Sequence, residues 1–441
     1  MAIHKIKYCI SLLSAALFFC IETINAQAPF NTDYNGIKVA SGVKLTQLSH
    51  DGMTLHRFFD TSPMSPSGRY VALFKLPYEN VSPKAGDAGQ VILVDLKTGK
   101  EKVVAQSRGW EVQLGANVQW GKSDHELLFN DVDTLSWKAF CTVLDPFSGK
   151  KRHLGGTVFM ASSDGRKIAS YDLMKSTYAQ VGYGVIVPKK LVKRNFGADQ
   201  KDGITVIDIN SGKSKQIVTL KDLYQTTIPS IQFKNSNDYE FYCFQIKWNP
   251  QGTRLLTTLQ WAPVKGGPRK RSVITMRSDG SEIRTAITPE QWEKGGHHVN
   301  WTADGEHLSM NLNVDGKEGL ELIEVKYDGS NLKTVFTPGS GHPSYHPKGL
   351  PLIITDAYPN ESITARNGIV PIRLLNMASG KEENIVEIFV SKIDGEFRID
   401  PHPAWDKTGR YVIFNGYINN TRNVFMADIS EWLLKQGFSL K

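Results

Sequence analysis

The chain has 441 residues, 40% hydrophobic and 22% charged, with 52 Lys and Arg against 44 Asp and Glu for a formal net charge of +8. That composition excludes a disordered or fibrous polymer and leaves either one long closed β architecture or two to three ordinary domains. A basic balance suits an anionic polymer partner, and it suits plain solubility equally well.

Residues 1–26 start with His4, Lys5 and Lys7, continue as "ISLLSAALFFCI" and end in "ETINA" before Gln27. This is the pattern of a secretory signal peptide cut after Ala26. The mature chain, 27–441, is therefore expected in the periplasm or outside the cell. Losing Lys5, Lys7 and Glu22 takes its formal charge from +8 to +7. Outside the cell a basic protein more often meets acidic polysaccharide than nucleic acid, so no nucleic-acid partner is expected. "LFFC" at Cys20 lacks the small residues that usually precede a lipidated cysteine. No later apolar run has membrane-spanning length, which predicts no membrane insertion. Cys141 and Cys243 remain, far apart in strand-like runs, and are not expected to be bonded.

From Gly42 the segment "GVKLTQLS" reads as a strand, and seven related stretches follow. They are "TSPMSPSG" from Thr61, "NVQWGKSD" from Asn117, "VFMASSDG" from Val158, "QIKWNPQG" from Gln245, "HVNWTADG" from His298, "HPSYHPKG" from His342 and "HPAWDKTG" from His402. Each precedes an alternating apolar run such as "RYVALF" or "RYVIFN", the period of a half-buried strand. Most units then reach a second strand closed by a turn such as "VDLKTGK" or "IDINSGK", rich in residues that accept positive φ. Two hairpins repeated seven times predict an all-β fold: a seven-bladed β-propeller of four-stranded antiparallel blades, one domain over 27–441. The last unit stops at "NVFMADI" without a fourth strand, so the N-terminal strand is expected to close the ring. The long gap between Gly165 and Gly252, containing "STYAQVGYGVIVPKKLVKRN", predicts a loop over one face.

The first strand of each blade lines the channel of a propeller, so the repeat places Thr61, Asn117, Val158, Gln245, His298, His342 and His402 around one axis. Three imidazoles and the Gln245 amide suit a divalent metal (manganese, calcium or zinc), and Asp400 could add a carboxylate. The alternative is a polar channel whose groups bind only ordered water. His297, His346 and His125 fall outside the register and are expected on the surface or in loops. Nothing in the chain reads as a phosphate loop, a Cys-rich zinc module or a nucleophile elbow, and no organic cofactor is expected. The runs "KKLVKR" and "GGPRKR" read as solvated loops, with uronate binding as the sharper alternative.

"PHPAWDKTGRYVIFNG", "HHVNWTADGEHL" and "GHPSYHPKG" resemble the channel repeats of oligogalacturonate lyases. "LHRFFDTSPMSPSGRYVALF", "GANVQWGKSDHELLFND" and "YAQVGYG" resemble ulvan lyases and the related L-rhamnosyl-α-1,4-glucuronate hydrolases. Together these matches span almost the whole mature chain. The lyase resemblance implies metal ligation by late-blade residues. His298 and His402 fit it, but Asp400 stands where a His is expected and Gln245 where the catalytic His falls. Asn117 likewise replaces a His of the ulvan lyases. Gln cannot serve as a base, whereas the hydrolase relatives rely on one His near the first blade, which corresponds to His56. The resemblance thus implies an exo-acting hydrolase that releases L-rhamnose α-1,4-linked to D-glucuronate, with His56 moving the proton. Arg57, Tyr178, Tyr183 and Arg398 are expected to place the uronate. The alternatives are a lyase acting by β-elimination on ulvan, oligogalacturonate or a similar glycan, and a non-catalytic propeller that binds glycan or protein. The expected partner is an acidic oligo- or polysaccharide, and the expected state is a monomer.

Overall fold

A computed structural model describes Tyr34 and residues 37–359, 361, 363–364, 368–390 and 395–439. The signal peptide expected over 1–26 lies outside these residues.

Seven antiparallel sheets follow one another along the chain as the blades of a propeller. The middle strands of each blade are packed on both faces by neighbouring blades, so the runs expected to alternate as half-buried strands are instead buried on consecutive residues. Tyr70–Lys75 and Gly89–Asp95 in blade 1 are examples. Outer hairpins turn where the sequence supplies a helper Asp or Asn and a Gly at positive φ: the Asp95 carbonyl accepts from Gly99 N at 2.8 Å, and Gly99 has φ 69°. Lys44–Gln47 pairs with the last strand, Lys44 opposite Asp428 and Gln47 opposite Phe425, so the N-terminal strand closes the ring as expected. A second N-terminal piece, Lys38–Val39, adds a fifth strand to the outer edge of blade 6, which the repeat pattern did not announce.

The recurring aromatic has a mechanical role. Trp120 Nε1 donates to Pro63 O at 2.9 Å, Trp248 to Met160 O at 3.2 Å, Trp301 to Lys247 O at 3.1 Å and Trp405 to Ser344 O at 2.9 Å. Each acceptor immediately precedes the equivalent position of the preceding blade, so the indole clasps neighbouring blades while its ring fills the seam.

Blade 1 departs from the repeat. Thr54–Leu55 pairs with Phe74–Lys75, and pairing resumes only where Met64 bridges Val71. The intervening "HRFFDTS" has no room in the ladder and is pushed into the channel, where Phe58 and Phe59 are 0% and 1% exposed. The channel is therefore plugged. Asp60 holds the plug by ion pairs to Arg57 Nη1 at 2.5 Å and to Lys247 Nζ at 3.1 Å, and Lys247 also donates to Val299 O at 2.9 Å. The two cations hold the Asp60 carboxyl down to about 2 against the opposing effect of burial.

The expected loop over one face is present. Its short helix Ser176–Ala179 is clasped by Arg269, which donates to Tyr178 O at 2.7 Å and to Ala179 O, and Gln113 N donates to Gly182 O at 3.1 Å. Cys141 and Cys243 are buried, unbonded, in different blades. No helix among the described residues is long and apolar enough to cross a membrane.

Candidate functional site

Four of the recurring positions share one backbone state: Asn117, Gln245, His298 and His402 have φ of 54°, 59°, 59° and 51°. The ladder slips beside two of them, between Phe244 and Ile246 and between His297 and Asn300. These are β-bulges, which turn a side chain out of the blade and toward the axis. A non-glycine residue in this region costs about 1–3 kcal/mol, a cost the surrounding blade must overcome. His342 reaches the axis differently, behind Gly341 at φ 65°.

The three histidines meet. The ring centres of His298 and His342 are 3.8 Å apart and those of His342 and His402 are 4.3 Å apart, with Phe58 of the plug 4.5 Å from His402. Asp356 organises two of them. Its carboxylate accepts from His342 Nδ1 at 2.9 Å and from the backbone N of His402 at 3.2 Å. His342 Nε2 and both ring nitrogens of His402 are buried without a partner, and ligand atoms of His342, Asp400 and His402 all lie within 4.8 Å of one another. Burial drives His402 well below its usual pKa, so it presents neutral imidazole nitrogen. Two imidazoles and a carboxylate form a donor set that fits a divalent cation, and the buried nitrogens without a hydrogen-bond partner are free to serve as its ligands.

His298 and Gln245, expected among the ligands, stand outside this trio. His298 Nδ1 lies 2.9 Å from Gly341 O and its Nε2 lies 3.2 Å from the Tyr358 hydroxyl. Both residues instead line an adjoining cavity of about 400 Å³ with Tyr183, Tyr358 and Arg398. Arg398 Nε donates to Asp400 at 2.9 Å and its guanidinium sits 5.8 Å from the Tyr183 ring centre, which ties this cavity to the trio. Burial raises both tyrosine hydroxyls above their usual pKa, keeping them protonated.

The structure places the remaining expected residues as follows. His56, expected to be catalytic, is 1% exposed and does not line the cavity that holds Tyr183 and Arg398. Its backbone N donates to Asn415 Oδ1 at 3.0 Å, and burial pushes its imidazole down to about 4. Arg57 is equally enclosed: besides Asp60 it donates to Thr61 Oγ1 at 2.7 Å and to Asn117 Oδ1 at 3.1 Å, which makes it a brace of the plug. Asn117 in turn donates to Glu111 at 2.9 Å, a carboxyl that burial pushes up to about 7. Tyr178 does not line the cavity; its hydroxyl donates to Val192 O at 2.9 Å and its ring lies against Tyr242. Thr61 and Val158 are occupied by the plug and a buried seam respectively. His297, expected on the surface or in a loop, lies in the strand Gly296–Trp301 and lines the cavity, whereas His346 does fall in the loop after Ser344–Tyr345 but is buried against Trp405 between blades 6 and 7. Asp356 and Tyr358, in "ITDAYP", were missed, because they follow a second strand and carry no repeat signature.

No protein-family model and no curated protein matches the chain. Among solved structures, it is similar to an oligogalacturonate lyase in complex with manganese at 16% identity and a TM-score of 0.61, covering 91% of this chain and 97% of that one. It is also similar to an oligogalacturonate lyase from Vibrio parahaemolyticus at 14% identity and a TM-score of 0.56, covering 89% and 96%. At these identities the likeness establishes the propeller fold.

Proposed function

We propose that the protein cleaves a uronate-containing oligosaccharide by β-elimination, outside the cytoplasm. The observation that carries this reading is the junction of a polar cavity, edged by Arg398 and Tyr183, with the His342–Asp400–His402 trio, in which His342 Nε2 and both His402 ring nitrogens have no partner. The two similar structures, both oligogalacturonate lyases and one with manganese, support the same choice over hydrolysis.

A divalent cation held by His342, Asp400 and His402 would supply Lewis acidity that acidifies the proton beside a uronate carboxylate. The chain's own groups account for the remaining proton movements. The Gly341 carbonyl holds a proton on His298 Nδ1, leaving the Nε2 lone pair facing the Tyr358 hydroxyl at 3.2 Å. This pair accepts the C5 proton as the C4–O bond breaks and the C4–C5 double bond forms. Tyr183, kept protonated by burial, returns a proton to the leaving oxygen. Arg398, already oriented by Asp400, borders the carboxylate position.

The test is incubation with oligogalacturonides and with rhamnose-capped glucuronate oligosaccharides. Elimination produces an unsaturated uronate that absorbs in the near ultraviolet. Free rhamnose without that absorbance would replace the proposal with hydrolysis, and neither product would leave a glycan-binding propeller.

A further inference from the structure

The candidate cavity contains a second guanidinium that the proposed chemistry does not use. Arg271 lies in "GGPRKR" on the third strand of blade 4, Lys270–Arg277, and lines the cavity from there. Arg398 reaches the same cavity from the approach to blade 7. Their charge states differ in one respect. Arg398 is neutralised by Asp400 at 2.9 Å, whereas Arg271 forms no salt bridge among the described residues and has another cation, Arg269, as its charged neighbour.

The groups beside Arg271 are also unsatisfied. Gln260 stands directly across the ladder from it, on the same face, and is 2% exposed with a buried Oε1 that has no partner. Thr258, two residues earlier, presents its side chain on that face too, and Trp292 adds an aromatic wall. An uncompensated half-buried cation is unfavourable in the free protein, and a buried unpaired amide adds to that cost. Both are relieved by a ligand that brings an anionic oxygen to the guanidinium and a hydroxyl to the amide. The other two cations of the run are engaged elsewhere: Arg269 clasps the loop over the mouth and Lys270 pairs with Glu293 at 2.9 Å.

We propose that Arg271 and Gln260 form a second acidic-sugar subsite, so that the cavity takes an oligosaccharide with two anionic residues, one near Arg398 and one on Arg271. This rests on the proposed function for the identity of the cavity, but it concerns binding and stands apart from the cleavage step. The anionic group is a carboxylate or a sulfate ester, since both offer the planar or near-planar oxygen pair that a guanidinium grips.

Calorimetric titration of the full chain with digalacturonate, its methyl diester and a sulfated disaccharide separates these cases without relying on turnover. Arg271→Gln should weaken binding of the doubly acidic ligand about tenfold or more while leaving the diester affinity unchanged. Arg271→Lys should recover part of the loss. Preference for the sulfated ligand over digalacturonate would assign the subsite to sulfate. Equal binding of di-acid and diester by the unaltered protein, or an Arg271→Gln protein that binds digalacturonate as the parent does, would overturn the subsite. If the unaltered protein binds the di-acid tightly without producing ultraviolet absorbance, elimination fails and the subsite stands. If Arg271→Gln eliminates with unchanged KM, elimination stands and the subsite fails.

Discussion

Replacing Asp60 by Asn keeps the shape of the channel plug and removes its only negative charge. The Asp60 side chain is fully enclosed and pairs with both Arg57 and Lys247, whose side chains are 1% and 0% exposed. Its carboxyl sits at about 2, below the ordinary 3.8, which alone corresponds to about 2.5 kcal/mol of stability at neutral pH. Removing the anion also strands two buried cations, so the expected loss is about 3–5 kcal/mol. For a chain this long that is a fall of about 3–6 °C in Tm by scanning calorimetry. Because the folded pKa is depressed, this stabilisation is complete above about pH 4 and is lost as pH falls toward 2, so the acid limb of the stability curve should flatten in Asp60→Asn. The double variant with Lys247→Met should recover at least half of the loss. A single variant within about 0.5 kcal/mol of the parent, or a double variant no better than the single, would refute the view that charge anchors the plug.

Glu111 gives the opposite pH signature. Burial raises its carboxyl from 4.5 to about 7, so its contribution is fully present below about pH 4.5 and is lost as pH rises through 7. Denaturant titrations should show stability falling by up to about 3 kcal/mol between pH 5 and 8, with the slope gone in Glu111→Gln. Trp405→Phe removes the indole donor to Ser344 O while keeping an aromatic in the seam, and should cost about 1–2 kcal/mol in the same assay. Manganese or zinc at a hundred times its Kd should stabilise the protein by about 2.7 kcal/mol, and His402→Ala should abolish that shift in thermal melts.

The propeller is legible in the sequence because the blades repeat the same physical demands, a turn at positive φ and, in four of the seven, an indole reaching the preceding blade. Closure by the segment around Lys44–Gln47 is legible for a related reason: the last unit lacks a strand and that segment has no other hairpin partner. The convergence of His298, His342 and His402 follows from the same register. His297 escapes it because a strand period of two assigns neighbours to opposite faces, and the bulge at His298 cancels that alternation. The plug escapes it because "HRFFD" is an insertion between residues that still align, and spacing cannot tell an extruded loop from a strand. His56 and Arg57, read as proton-moving and uronate-placing residues, are therefore enclosed. Arg271 is hidden within a basic run whose neighbour Lys270 points to Glu293 and solvent.

Pairing Lys44–Gln47 with the final blade makes an early strand and the last strand of the chain mutually dependent. During synthesis the early strand must wait, unpaired, while six blades emerge, and blade 7 offers it an edge only when Phe425–Asp428 has left the ribosome. A prematurely terminated chain would therefore keep two raw sheet edges at once, which makes truncated products of this protein prone to join one another edge to edge.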